Sequence, residues 1–527
     1  MCPLSVEATE SVFLGRHTDR GSILLYSADL KHHTPRRSQE NQMMTGSLRM
    51  IALSLLLTAA PQAFAEPLTA EQRGQVVRAV SNYAPRMNDV ADTIWKHPEL
   101  GYLETATADL LIKELEAHGF KVERNVAGIP TAFVARYGTD TGPVIGLLAE
   151  MDALPGFSQA AAPQQQAVEG LASGHACGHH LFGAGSVAAA IAVAQWLKDN
   201  RVDGQIRLYG TPAEEGGSGK VYMVRSGLFD DVDVALHWHP SDSNSTEQGR
   251  SLANVSAKIR FKGESAHAAM QPERGRSALD GLEAMHHMIN LMREHVPQET
   301  RIHYVTTNGG AAPNVVPDFA ESYLYVRHPD PRVVGEVFEW ITKTAEGAAL
   351  GTGTKASIER LGGVYSVLPN DVLGRAMDRN LRAAGAIKWT PEETAFATEL
   401  QKTLRTKPPL SSVSEIEDYS FGKQGFYSTD VGDVSWVVPT VGLGTATWVP
   451  GTATHSWQAV AAGGMSIGHK GTRLAAETLA TTVVELFQSP KLVADAKAEF
   501  DRARGGSFSY SALIGDRNPP LDYRLKN

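Results

Sequence analysis

The chain has 527 residues, too many for one hydrophobic core and enough for two or three domains at about 150 residues each. Its composition, 42% hydrophobic, 20% charged and 7% aromatic, excludes disorder, collagen and coiled coil as the dominant state. With 49 basic against 58 acidic residues the net charge is -9, and nucleic acid is not an expected partner.

Met50 to Ala60 reads MIALSLLLTAA, a short apolar run preceded by Arg49 and followed by Ala63-Phe64-Ala65, the small-x-small pattern of a cleavage site. The run is too short to cross about 30 Å of hydrocarbon as a helix, and no other stretch is expected to span a membrane. A signal peptide beginning at Met43 or Met44 and cleaved after Ala65 is therefore expected, which would export the protein to the periplasm. No fold is assigned to residues 1–42. Cys2 and Cys177 are the only cysteines, so processing leaves Cys177 alone, a thiol that burial or metal ligation would have to protect.

From Thr69 to Phe120 the pattern is helical, with Thr69 and Gln72 spaced as a capping box and Gly119 placed to end a second helix. Thr131–Tyr137 and Val144–Leu148 read as strands, the second leading into Glu150-Met151-Asp152. Leu181–Leu197 reads as a small-residue helix, Gln205–Tyr209 as a strand, Gly219–Arg225 as a short helix and Val232–Leu236 as a strand. This alternation predicts an α/β fold, a largely parallel sheet flanked by helices. From about Ser251 the texture changes: Ala253–Lys262 alternates, Ser277–Arg293 is helical, His303–Thr307 and Glu321–Arg327 alternate, and Pro331–Ala349 is helical. With one further strand this is the β-α-β-β-α-β order of a ferredoxin-like unit. The expected organisation is a first catalytic segment over 66–250, an inserted α+β unit over 251–366 and a second catalytic segment with a tail over 367–527. The polar stretch near Lys402–Gly425 reads as a loop over the site.

Gly174-His175-Ala176-Cys177-Gly178-His179-His180 gathers a thiol and three imidazoles just before a helix. Cys177 and His179 flank one glycine and can converge on a cation if the backbone turns sharply between them, with His175 and His180 behind. After the next strand, Gly210-Thr211-Pro212-Ala213-Glu214-Glu215 carries adjacent carboxylates on a Pro/Gly loop, so one can bind metal while the other faces a water. The strand through Leu236 ends in His237-Trp238-His239-Pro240, where His239, nearer the sheet's carboxyl edge, is the preferred ligand. His455 sits in a polar loop, Gly451-Thr452-Ala453-Thr454-His455.

Together, His97-Pro98-Glu99-Leu100-Gly101-Tyr102-Leu103-Glu104, Met151-Asp152-Ala153-Leu154-Pro155, His175 to His179, Pro212 to Glu215 and His455 resemble the M20 metallopeptidase and amidohydrolase family, over about Thr69 to Phe487. Within it the likeness points to the aminobenzoyl-glutamate hydrolase B-subunit-like group, through Glu214 to Lys220, Trp238-His239-Pro240, Arg276 to Asp280, Pro313 to Val316 and Thr429 to Trp436. The resemblance implies two divalent metal ions, zinc or manganese, held by Cys177, His179, Glu215, His239 and His455. It implies Glu214 as general base for a metal-activated water. Asp152 is expected behind the ligands, orienting an imidazole, because ligating histidines usually donate their other ring N–H to such a partner. His267 matches the family's oxyanion donor, often supplied across a dimer interface, and Asn314 and Arg327 match substrate-carboxylate anchors. The implied substrate is a small N-acyl or N-aroyl amino acid, aminobenzoyl-glutamate-like, and the implied assembly a homodimer through the inserted unit or a hetero-oligomer with a related subunit. His180 stands where the family has aspartate or asparagine, and His237 is an additional histidine beside the ligand set.

Competing motifs fail on context. Gly183 to Ala188 mimics a dinucleotide fingerprint without a strand directly before it, and Gly464-Met465-Ser466-Ile467-Gly468 mimics a nucleophile elbow with no strand preceding it. A dipeptidase or carboxypeptidase of the same family, or an exported binding protein without catalysis, are the alternatives that share the same pocket.

Overall fold

The structure is a computed structural model and describes residues 67–525; the proposed signal peptide lies outside them. The helix α1 (Ala70–Lys96) opens with the predicted capping box: the Gln72 N–H donates to Thr69 Oγ1 at 3.3 Å, and the Thr69 N–H donates to Gln72 Oε1 at 3.0 Å. It is followed by α2 (Thr105–Ala117), after which Gly119 takes a φ of +87°. Next come β1 (Lys121–Arg124), β2 (Phe133–Gly138), β3 (Val144–Glu150), the short pair β4 (Leu154–Pro155) and β5 (Ser173–Gly174), α3 (His179–Asn200), β6 (Gln205–Thr211), α4 (Gly219–Arg225) and β7 (Val234–Ser241).

The second half runs through β8 (Gln248–Arg250), β9 (Ala253–Lys262), α5 (Ala278–Met292), β10 (Arg301–Asn308), β11 (Phe319–His328), α6 (Pro331–Thr352) and β12 (Lys355–Val364). It closes with α7 (Asp371–Ala384), α8 (Pro391–Gln401), β13 (Phe421–Gln424), α9 (Val431–Ser435), β14 (Thr440–Ala446), α10 (Trp457–Gly463), α11 (Ser466–Gln488) and α12 (Pro490–Arg504).

The larger sheet has the order β1-β2-β6-β3-β7-β14. Strands β6, β3, β7 and β14 run parallel, while β1 and β2 add an antiparallel edge. β14 was not anticipated, because Gly442 and Gly444 break its apolar run. The first of these glycines faces His237 across the pairing, where a Cβ would lie 2.3 Å from the imidazole Nε2. Strand β7 also continues past Leu236, so His237 and His239 lie within the strand rather than beyond it.

Helix α3 is buried from His179 to Leu197 except at Gln195. Its small residues permit close packing: a Cβ at Gly185 would lie 2.9 Å from both Trp238 and Thr472. Length and composition alone would let α3 cross a membrane, contrary to the expectation that no other stretch would, but 94% of its apolar window is covered by protein. Each Leu, Ile or Val so enclosed contributes roughly 1.5–3 kcal/mol of burial free energy. The Gly183 region is therefore helix interior rather than a nucleotide loop. Ser466, at the centre of the mock nucleophile elbow, opens α11 and donates to Glu393 Oε1 at 2.6 Å.

A second sheet, β10-β11-β9-β12, is antiparallel throughout. Alternate residues of β9 and β11, including Val255, Ala257, Ile259, Leu324 and Val326, share a separate core with Leu282, Met285, Val334 and Ile341 of α5 and α6. The period-two burial follows from side chains alternating across a strand. After α12, the tail crosses both regions: Arg225 donates to the Gly515 and Arg517 carbonyls, and Arg517 donates to the Arg360 carbonyl.

Candidate metal centre

The carboxyl ends of β3, β6 and β7 meet the N-terminus of α3, the place where open α/β sheets bind ligands. Cys177 and His179 converge here because Gly178 turns between them with φ +78°. A side chain at Gly178 would also collide with Pro240, since a Cβ would sit 2.7 Å from its ring. From β7, His239 brings Nε2 to 3.4 Å from Cys177 Sγ. His455 arrives from a distant loop in a left-handed conformation, φ +57°, and its N–H donates to the Ala176 carbonyl at 3.0 Å. Its Nε2 lies 2.8 Å from Glu215 Oε1.

Potential ligand atoms fall into three groups, each with its atoms within 4.8 Å of one another: Cys177, His179 and His239; Cys177, Glu215 and His455; and His179, Glu214 and Glu215. Every residue expected as ligand or base thus lies in one cluster. Asp152 sits behind it: Oδ1 is 3.0 Å from His179 Nδ1, and Oδ2 accepts the Glu215 N–H at 2.9 Å. His239 Nδ1 is 2.7 Å from the Pro240 carbonyl. A carbonyl can only accept, so His239 Nδ1 carries the proton and Nε2 presents its lone pair to the cluster.

Several donor atoms here are buried without a hydrogen-bond partner: His179 Nε2, Glu215 Oε1 and Glu150 Oε2. The nearby His455 and Glu150 atoms are close enough in distance but not aligned as hydrogen bonds. Orphaned, buried acceptor atoms are costly in a bare protein and suit a cation. The thiol, imidazole and carboxylate donor set also fits a divalent metal.

Burial and the crowding of acidic groups dominate the electrostatics here. Burial pushes the Cys177 thiol up. Burial opposes a charge on His179, but the Cys177 sulfur and the Glu150 and Asp152 carboxylates outweigh it and hold its pKa well above the usual value. The anionic groups around His179 thus favour positive charge at this place, which a bound cation would supply. Glu214 is raised well above the ordinary carboxylate range, first by burial and then by the charges of Glu150 and Glu215.

Neither of the two additional histidines joins the groups able to hold metal among the described residues. His180 places Nε2 3.1 Å from the Gly463 carbonyl and packs on His175, with ring centroids 4.9 Å apart. His237 faces Gly442 on β14, and burial lowers its pKa to about 4.

The second-sheet candidates do not enter the cluster in this chain. His267 is exposed, and its Nδ1 accepts the Met270 N–H at 3.2 Å within its own turn. Asn314 is the neighbour of that turn, its carbonyl accepting the Ala268 N–H at 3.0 Å. Arg327 donates to Ser428 Oγ at 3.1 Å and lies over the Tyr325 ring, 5.0 Å from its centroid.

Several supporting residues were missed. Glu104, buried, accepts the Ala213 N–H at 2.8 Å and so fixes the loop before Glu214, where Ala213 itself holds φ +58°. From the tail, Tyr523 Oη donates to the Glu215 carbonyl at 3.2 Å, and Arg524 donates to the same oxygen at 2.5 Å. Glu150, Lys220 and Asp430 form a buried ion cluster beside His179. The adjacent carboxyl-end position of Glu150 on β3 was the available signal for that cluster; the tail contacts had none.

Residues 146–422 match the model of peptidase family M20/M25/M40. The chain is 42% identical over 442 residues to the B subunit of p-aminobenzoyl-glutamate hydrolase from Escherichia coli, covering 79% of this chain and 92% of that protein. It is 29% identical to the Xaa-Arg dipeptidase of Mus musculus, over 80% of this chain and 90% of that one. The fold is also that of a dinuclear metal binding peptidase of the M20 family from Bacillus subtilis, with a TM-score of 0.54 at 19% identity over 77% of this chain and 99% of that chain. This protein belongs to peptidase family M20/M25/M40 and is a metal-dependent amidohydrolase or peptidase.

Proposed function

We propose that the protein hydrolyses the amide bond of N-acyl or N-aroyl amino acids, aminobenzoyl-glutamate among them, at a centre of two divalent ions held by Cys177, His179, Glu215, His239 and His455. The observation that carries this reading is the convergence of those side chains, with orphaned donor atoms aimed inward, in a chain 42% identical to a hydrolase of that substrate type. Zinc or manganese suits the donor set. Bound there, the two ions supply Lewis acidity, polarising the scissile carbonyl and bringing the pKa of water toward neutrality.

The chain's own residues do the rest. Glu214 accepts the proton of the attacking water and returns it to the leaving amine. Asp152 fixes the tautomer of His179 through Nδ1 and the position of Glu215 through its N–H. His267 supplies a donor to the tetrahedral oxyanion, and Asn314 and Arg327 receive the substrate carboxylate, once the β9–β12 unit acts as a lid. Because His267 does not reach the cluster of its own chain, pairing through that unit, in a homodimer or with a related subunit, would deliver it. The MIALSLLLTAA run and its Ala63-Phe64-Ala65 site support export to the periplasm.

The test is a screen of the purified protein, loaded with zinc or manganese, against N-acyl and N-aroyl amino acids and dipeptides. Turnover highest on N-aroyl or N-acyl amino acids supports the reading. Turnover confined to dipeptides would replace it with a dipeptidase.

A further inference from the structure

Glu150 ends β3 with its carboxylate fully enclosed, beside the metal cluster but outside the ligand set already described. Its Oε1 lies 2.7 Å from Lys220 Nζ, and its Oε2 lies 3.0 Å from His179 Nε2. Lys220 is itself wholly buried at the start of α4; its Nζ reaches Asp430 Oδ1 at 2.6 Å and its N–H donates to Asp430 Oδ2 at 2.9 Å. One lysine thus stands between two buried carboxylates, leaving one negative charge uncompensated.

The geometry around His179 points to where the balancing charge belongs. Asp152 takes the Nδ1 side of the ring, so in the neutral imidazole Nε2 carries the lone pair. That lone pair faces Glu150 Oε2, also an acceptor, and both atoms lack a hydrogen-bond partner. Two acceptors 3.0 Å apart in a buried site repel unless a cation lies between or beside them.

We propose that Glu150 is a further ligand of the ion held by Cys177, His179 and His239, and that Lys220 and Asp430 are positioning residues that hold its carboxylate in place. This rests on the dinuclear reading above. Lys220 occupies Oε1 and leaves Oε2 as the atom available to metal. Asp430 locks Lys220 from both its side chain and its backbone, so the position of the ligand is set by three separate stretches of chain. The half of the centre at His239 then has a carboxylate of its own, as the other half has Glu215.

The test counts ions in metal-freed protein reloaded with zinc or manganese, and measures their affinity by competition with a chelating dye. The wild type is expected to hold two ions, His455→Ala one, Glu150→Gln one, and the combined variant none. Asp430→Asn is expected to keep both but to bind one of them about 10–100-fold more weakly. Circular dichroism of the metal-free variants establishes that they fold. A folded Glu150→Gln protein with the wild-type ion count and affinity overturns the proposal. If Glu150→Gln does not fold, Asp430→Asn decides: a weakened ion supports the proposal and an unchanged one overturns it. A wild type holding fewer than two ions contradicts the dinuclear reading instead, and Glu150→Gln is then judged against the wild type's own count and affinity, where no change overturns the proposal.

Discussion

The two sheets treat their chemistry-bearing residues differently. In the larger one, strand ends from β3, β6 and β7 and the start of α3 bring Asp152, Cys177, His179, Glu214, Glu215 and His239 to one buried place, and the His455 loop closes it. In the smaller one, His267 and Asn314 sit on an exposed turn and Arg327 on a strand facing Ser428, none in contact with that place. The candidate metal centre is assembled within one chain, and its orphaned donors are tolerable only together. Groups that act on substrate alone can wait outside until the substrate or a second copy of the chain draws them in.

That contrast can be broken by mutation. Glu214→Gln should cost most, lowering kcat about 10²–10⁴-fold while ion content, measured by elemental analysis, stays at the wild-type level. Lost ions with that variant would make Glu214 a ligand rather than a base. His267→Ala should lower kcat about 10²–10³-fold with ion content also unchanged, and an equally active variant would remove the smaller sheet from catalysis. Asp152→Asn should weaken metal binding about 10–100-fold, read by chelator competition, since it disturbs both His179 and the Glu215 N–H. Arg327→Ala should raise KM about tenfold or more for substrates with a free carboxylate, with a smaller effect on their amides.

The smallest effect concerns stability of the second region. His286 on α5 stacks on Tyr304, ring centroids 3.9 Å apart, and burial lowers its pKa to about 4. The unfolded chain takes up that proton near the ordinary histidine value, whereas the folded chain resists it. Stability from this residue is therefore present above about pH 6.5 and falls as the pH drops toward 4. Thermal unfolding across that window should show a shallower loss for His286→Phe than for the wild type.

Much of this was legible in the sequence, for physical reasons. The capping box at Thr69, the alternation of β9 and the small-residue pattern of α3 are local signals, and local signals survive without a structure. The Cys177-Gly178-His179 turn was readable because only a glycine easily permits it. Strand β14 escaped notice because its glycines serve His237 on a neighbouring strand rather than their own periodicity. Tyr523 and Arg524 hold Glu215 from more than three hundred residues away, a distance over which sequence spacing carries no information. Glu150 stands two residues before Asp152 at the same strand end, and only its contacts with His179 and Lys220 distinguish its role.

Anomalous diffraction from crystals grown with zinc or manganese tests the central claim most directly. The account predicts two peaks, each within coordination distance of Cys177, one also touching His179 and His239 and the other Glu215 and His455. Peaks elsewhere, or none at a cluster that remains intact, would contradict it.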